Sequence, residues 1–233
     1  INIKSYSLAK KQIEKIANKF NFFSIYEYGS YKNPGLSDID LFLVVDKNKV
    51  SFVKDFLENI KKIKTLSFFF EYSTIMITEP NFLKNIILFD NLKLNNFFGT
   101  KITIYKYKKL EKLLAILSIL EWLPERTLRL KENLNKFDHI NHRQHLGLLN
   151  SLKYTFLKLD KYVNEKKIVE YCKKIDALRS DKNIFKKKKK ILFLSKKLLD
   201  FSNYAIDIFS RNSCIQELKT EVKGSFTIKF PSN

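Results

Sequence analysis

Two carboxylates stand one residue apart in Asp38-Ile39-Asp40, and an unbroken apolar run, Leu41 to Val45, follows them. Residues i and i+2 of a strand point to one face, so a strand over residues 38–45 presents both acids side by side. Like charges that close repel, and one would be driven to take up a proton. A divalent cation removes that penalty. Magnesium takes oxygen ligands: a small number of carboxylates and the phosphate oxygens of a substrate. The pair therefore suits a magnesium ion carrying a nucleoside triphosphate. A purely structural reading stands beside this one, with Asp38 as a strand cap and Asp40 as a solvated turn residue.

Gly29-Ser30 strengthens the first reading. It follows one apolar segment and precedes the loop that leads to Asp38. Glycine lets the backbone approach a ligand closely, and free N–H groups with a hydroxyl hold phosphate oxygens. Lys32 is placed to neutralise phosphate charge, and Ser37, immediately before the acids, joins the nucleotide-binding candidates. Each piece alone is weak. A strand, Gly-Ser, a short loop and Asp-x-Asp opening an apolar strand is a far more specific combination.

The stretch GSYKNPGLSDIDLFLVV resembles the signature of the nucleotidyltransferase superfamily typified by DNA polymerase β: Gly-Ser, a spacer, then Asp-x-Asp. The resemblance covers roughly residues 20–107. It implies a mixed sheet flanked by helices, and two-metal transfer of a nucleotide with two Mg2+ or Mn2+ ions. Carried over, Gly29 and Ser30 hold the β- and γ-phosphates, and Asp38 and Asp40 bind the metals. The family also uses a third carboxylate on a neighbouring strand. Glu71 is the candidate, as the only acid inside the strand-like LSFFFEYSTIMIT. A charge among Phe68, Phe69, Phe70 and Ile75 is costly unless paired or metal-bound. Glu79 is the runner-up, while Asp46 and Asp55 suit a loop and a helix surface. Fused helical domains of this superfamily sometimes carry a ribonuclease motif of Arg, four to six residues, then His. Arg129 lies too far before His139 and Arg143 too near His145 for that motif, which argues against an RNA-cleaving bundle.

The elements that must position these residues follow from periodicity. Ile13, Ile16, Ala17 and Phe20 fall at helical spacing, predicting a helix over 7–20. A short strand is expected over 21–28, the acid-bearing strand over 38–45, and a helix over 50–61 carrying Val53, Phe56, Leu57 and Ile60. Further strands are expected over 65–78 and 101–107, with a helical turn at 81–89 between them. The continuous apolar run after Asp40 predicts a strand covered on both faces. From about residue 107 the pattern becomes helical: 107–122, 125–136, 142–163, 165–178 and 184–209, the first two separated at Pro124. SFTIKF, residues 225–230, alternates like a lone strand. The expected architecture is α+β: a catalytic head over 1–107 and a basic helical domain over 108–233.

Charge supports that division. The 233 residues carry a formal net charge of +20, made up of +4 over residues 1–100 and +16 over 101–233. A basic half suggests a polyanionic partner, with RNA favoured as acceptor. Lys186, Lys187, Lys188, Lys189 and Lys190 form a block that suits an acceptor backbone, or else a solvated helix start. Only five basic residues are Arg, and such Lys richness is also what an AT-rich genome produces, which discounts the basic half as evidence of a binding surface. His139, His142 and His145 read first as a solvated helix start, and second as a metal or phosphate contact. Trp122, Leu123 and Pro124 are expected to pack between bundle and head, and Tyr154, Phe156 and Tyr162 to be core.

The remaining composition sets bounds. At 45% hydrophobic residues the chain can bury a core. No run of about 18 apolar residues occurs, so no membrane span is expected. The first twenty residues lack the apolar core and cleavage site of a signal peptide. Cys172 and Cys214 form no disulfide framework, and a reducing, cytoplasmic setting is expected. Three functions emerge: nucleotidyl transfer to RNA; the same chemistry on a small molecule or a protein, like antibiotic-modifying or toxin–antitoxin nucleotidyltransferases; and a non-catalytic nucleotide- or RNA-binding module.

Overall fold

A computed structural model describes residues 2–20, 22–28, 36–46, 50–71, 73, 75–84, 94–104, 108–181 and 183–212. The chain is α+β and divides into two compact units, Ile1–Lys109 and Leu110–Asn233. Among the described residues no helix is long and apolar enough to cross a membrane.

The first unit contains α1 (Ile3–Ala17), β1 (Ser24–Tyr28), β2 (Asp40–Val44), α2 (Ser51–Lys62), α3 (Lys64–Ser67), β3 (Ile75–Thr78), α4 (Pro80–Lys84) and β4 (Leu94–Gly99). The four strands form one mixed sheet in the order β3-β2-β1-β4. β1 runs antiparallel to both β2 and β4, and β2 runs parallel to β3. Both sheet faces are covered, as the continuous apolar run of β2 predicts. On one side Ile25, Leu41 and Leu43 pack in a core with Tyr6, Ala9 and Ile13 of α1 and Val53, Phe56 and Ile60 of α2. On the other, Tyr26, Phe42 and Val44 pack with Leu83 of α4 and Ile102.

Two expected strands are displaced. Residues 64–70 are helical, α3 followed by a 3-10 turn over Phe68–Phe70, and only Ile75–Thr78 of the expected 65–78 strand joins the sheet. Leu66 and Phe69 are buried at a spacing of three, which a helical turn points to one side and a strand would not. Aromatic β-propensity yields to that packing. The last sheet strand is Leu94–Gly99, not 101–107. Residues 101–104 are irregular, and 105–107 lie outside the described residues. Gly99 ends β4 rather than preceding it: its φ is +73, and a Cβ there would stand 2.9 Å from the Ser24 Cα. Asn95 and Asn96, poor strand formers, hide this strand from propensity. Of the expected helix over 81–89, α4 covers Pro80–Lys84, and the remainder lies outside the described residues, as does SFTIKF.

The second unit contains α5 (Lys108–Asn135), α6 (His142–Val163), α7 (Lys166–Arg179) and α8 (Lys188–Ser210). α5 passes through Pro124 instead of breaking there. An internal proline costs ~3 kcal/mol, and burial of Ile119, Leu123 and Leu130 on both sides of it opposes that loss. The Asn141 side chain caps α6, and Asn164, at φ 45, ends it in the left-handed conformation that asparagine tolerates. Phe156 is core, but Tyr154 is exposed, with Lys153 Nζ 4.8 Å from its ring. Trp122 is half-buried beneath Arg126, whose guanidinium carbon lies 5.2 Å from the ring.

Candidate active site

The acid pair lies where the antiparallel β1–β2 ladder ends. Asp40 is the first residue of β2, and its register partner is Tyr28, the last of β1. Gly29 follows Tyr28 directly in sequence. Gly29, Ser30 and Lys32 themselves lie outside the described residues. On β2, Asp40 shares its face with Phe42 and Val44. The Phe42 ring meets Tyr28 at 5.0 Å, so Asp40 sits at the rim of an aromatic surface. Asp38 lies two residues before the ladder begins, so the strand argument for a shared face holds for Asp40 and stops short of Asp38. Both acids are half-buried.

The backbone that carries the acids is held from two sides. Ile39, between them, buries its side chain completely, and its amide donates to the Phe69 carbonyl at 2.9 Å. The Ser37 carbonyl accepts a 2.6 Å hydrogen bond from the Tyr6 hydroxyl. The rings of Tyr6 and Phe69 meet edge to face at 4.8 Å. α1, the acid segment and the turn after α3 are thereby joined in a closed circuit of contacts. Such a shell limits the freedom of the segment bearing Asp38 and Asp40, a condition for holding ligands at set positions. Sequence pattern alone marks neither residue: Tyr6 precedes the expected helix over 7–20, and Phe69 falls inside the expected strand over 65–78.

Glu71 is not a strand residue. It follows the 3-10 turn, and its side chain is exposed. The expected cost of burying this charge among phenylalanines does not arise, because the helical turn directs Leu66 and Phe69 inward and leaves Glu71 outside. The Ile39–Phe69 hydrogen bond still brings its backbone within two residues of the acid segment. Among the described residues, no group of three or more His, Cys, Asp or Glu is gathered as a metal site. The two aspartates offer hard oxygen donors, the set that suits Mg2+ or Mn2+.

Glu27 is a buried acid that the sequence reading passes over. It is 6% exposed, on β1 opposite Leu41, and its Oε1 accepts from Lys10 Nζ at 3.0 Å. Its place on β1, beside Ile25's face rather than Tyr28's, sets it on the α1 side of the sheet, away from Asp40's face. It ties α1 to β1.

The histidines are not a uniformly solvated helix start. His139 is exposed and His142 half-exposed, but His145 is fully buried. Its Nε2 lies 2.8 Å from Ser195 Oγ of α8, and its Nδ1 lies 3.2 Å from Asn133 Nδ2 of α5. Burial, and then the neighbouring His142, push its pKa down to about 4, so the ring is neutral at pH 7. It links three helices of the second unit. The side chains of Lys186–Lys190 are all exposed: Lys186 in a 3-10 turn, Lys187 at the cap of α8 and Lys188–Lys190 in its first turn.

Compared with protein-family models, curated proteins and solved structures, the chain matches none.

Proposed function

We propose that the chain is a metal-dependent nucleotidyltransferase of the DNA polymerase β-like kind. In this reading it moves a nucleoside monophosphate from a nucleoside triphosphate to a hydroxyl of an RNA acceptor. The observation that supports it most is the placement of Asp38-Ile39-Asp40: at the mouth of a central strand, opposite the residue that leads into Gly29-Ser30, on a backbone held by Tyr6 and Phe69.

In this reading Asp38 and Asp40 hold the magnesium or manganese ions. When bound, these ions neutralise the charge of the triphosphate and of the developing pyrophosphate. Gly29, Ser30, Lys32 and Ser37 orient the phosphate chain so that the α-phosphorus faces the acceptor. The acceptor oxygen forms a bond to that phosphorus as the bond to the bridging oxygen breaks, and pyrophosphate leaves in line. The hydroxyl proton passes to Glu71 or to solvent. Most of the acceleration comes from position and charge neutralisation, as in other phosphoryl transfers. The excess of positive charge in residues 101–233 supports a polyanionic acceptor.

The test is incubation of the full chain with each labelled nucleoside triphosphate, Mg2+ or Mn2+, and a mixed pool of RNA, protein and small metabolites. Label is expected in RNA, and Asp38→Ala or Asp40→Ala is expected to lower its transfer roughly 100-fold or more. Undiminished transfer in both variants would sink the mechanism. Label in protein or in small molecules, sensitive to the same variants, would keep the chemistry and replace the acceptor. Nucleotide binding with no transfer under any condition would leave a binding module.

A further inference from the structure

One strip of the second unit combines positive charge with an exposed aromatic ring. From Lys186 to Lys197 the sequence holds seven lysines and no acid. All seven side chains are exposed. Lys187 pairs with Asp181 at 2.6 Å, while among the described residues the other six are in no ion pair. Ile191, Leu194, Ser195 and Leu198 turn inward and are buried. Phe193 turns outward and is 62% exposed, with Lys197 Nζ 4.4 Å from its ring centroid. Spacings of three and four place Lys189, Lys190, Phe193, Lys196 and Lys197 on one helix face, over a length of about 12 Å. Phe185, immediately before the lysine block, is 48% exposed. Beyond Lys197 the character changes to Asp200 and Asp207, and the Tyr204 hydroxyl is engaged by Glu165 at 3.3 Å.

We propose that this strip binds single-stranded nucleic acid, with bases stacked on Phe193 and Phe185 and phosphates lying against Lys189, Lys190, Lys196 and Lys197. An aromatic platform bordered by cations is how a protein holds a strand without reading its sequence. A duplex does not suit the strip, because its base faces are already covered by their neighbours. A membrane surface does not suit it either. An interfacial helix needs a broad apolar face, and among the outward residues of Lys188–Lys197 only Phe193 is apolar. The identification of the strand as the acceptor rests on the transferase reading, but the binding itself requires neither triphosphate nor metal.

The experiment measures anisotropy of labelled twelve-nucleotide single-stranded RNA, the matching DNA and the duplex against the full chain. Triphosphate and metal are omitted, and salt is varied. Single strands are expected to bind more tightly than duplex. Comparison of the RNA and DNA arms assigns the sugar. Phe193→Ala is expected to weaken binding about 5-fold or more, Phe193→Trp to restore it, and Phe193→Leu to fail to restore it. Lys189→Gln with Lys190→Gln is expected to flatten the log affinity against log salt slope by about 0.7 per lysine. Equal affinity for duplex, wild-type affinity in Phe193→Leu, or binding to phosphatidylserine vesicles but not to oligonucleotides would each overturn the proposal. Loss of label transfer in Asp38→Ala bears on the transferase reading alone. Unchanged oligonucleotide affinity in Phe193→Ala bears on the strip alone.

Discussion

The amide of Ile39 donates to the carbonyl of Phe69 at 2.9 Å, joining the segment between two aspartates to a turn thirty positions away. This bond carries the chain from the start of β2 to the turn that precedes Glu71. It also explains why an apolar residue separates the acids: Ile39 is fully buried and anchors the segment, while Asp38 and Asp40 on either side stay half-buried.

Tyr6→Phe removes the 2.6 Å hydrogen bond to the Ser37 carbonyl and keeps the ring contact with Phe69. Stability is expected to fall by about 1 kcal/mol in urea denaturation. Nucleotidyl transfer is expected to fall further, roughly 10-fold, because the acid segment loses one of its two anchors. Wild-type transfer in this variant would show that Tyr6 does not position the acids.

Glu71→Gln tests the third carboxylate. The side chain is exposed, so stability is expected to stay within about 0.5 kcal/mol. If Glu71 receives the acceptor proton or joins the metal ligands in the loaded enzyme, transfer falls roughly 100-fold. Full activity with an unchanged melting temperature would remove Glu71 from the site.

Gly99→Ala places a methyl group against the backbone of Phe23 and Ser24 at a φ of +73. Neither obstacle is a flexible side chain that could move aside. A loss of at least about 2 kcal/mol is expected in equilibrium unfolding. A variant as stable as the parent would mean that β4 can end in another backbone conformation.

Acid sensitivity is expected from His145. Its folded pKa is lowered from 6.5 to about 4, so the buried ring stays neutral while the unfolded chain takes up a proton near 6.5. Across that window the unfolded state binds more protons, and stability declines as pH falls. At ~1.4 kcal/mol per pH unit, the total loss is roughly 3 kcal/mol. His142 is also held below its ordinary value, by burial first and then by Lys188, and adds a contribution of the same sign. Denaturation curves from pH 8 to pH 4 should show the decline, and His145→Gln should remove most of it. An equal slope in the variant would place the acid sensitivity elsewhere.

Features that depend on local pattern are legible along the chain. Helical spacing located α1, α2, α6 and α7 to within a few residues, and the apolar run after Asp40 marked a strand covered on both faces. The Gly-Ser and Asp-x-Asp spacing selected the site candidates. Features that depend on distant partners emerge only in the folded chain. Phe68–Phe70 has strand composition, yet Leu66 and Phe69 reach the core only from a helical turn, and that moves Glu71 off the sheet. Leu94–Gly99 lacks strand composition, yet β1 supplies its hydrogen bonds. Pro124 should end a helix, yet buried side chains on both sides keep α5 continuous. His145 looks like its two neighbours until Asn133 and Ser195 close around it. Periodicity records which side of an element is apolar. It does not record which other element will cover that side, and burial and hydrogen bonding across the chain settle that choice.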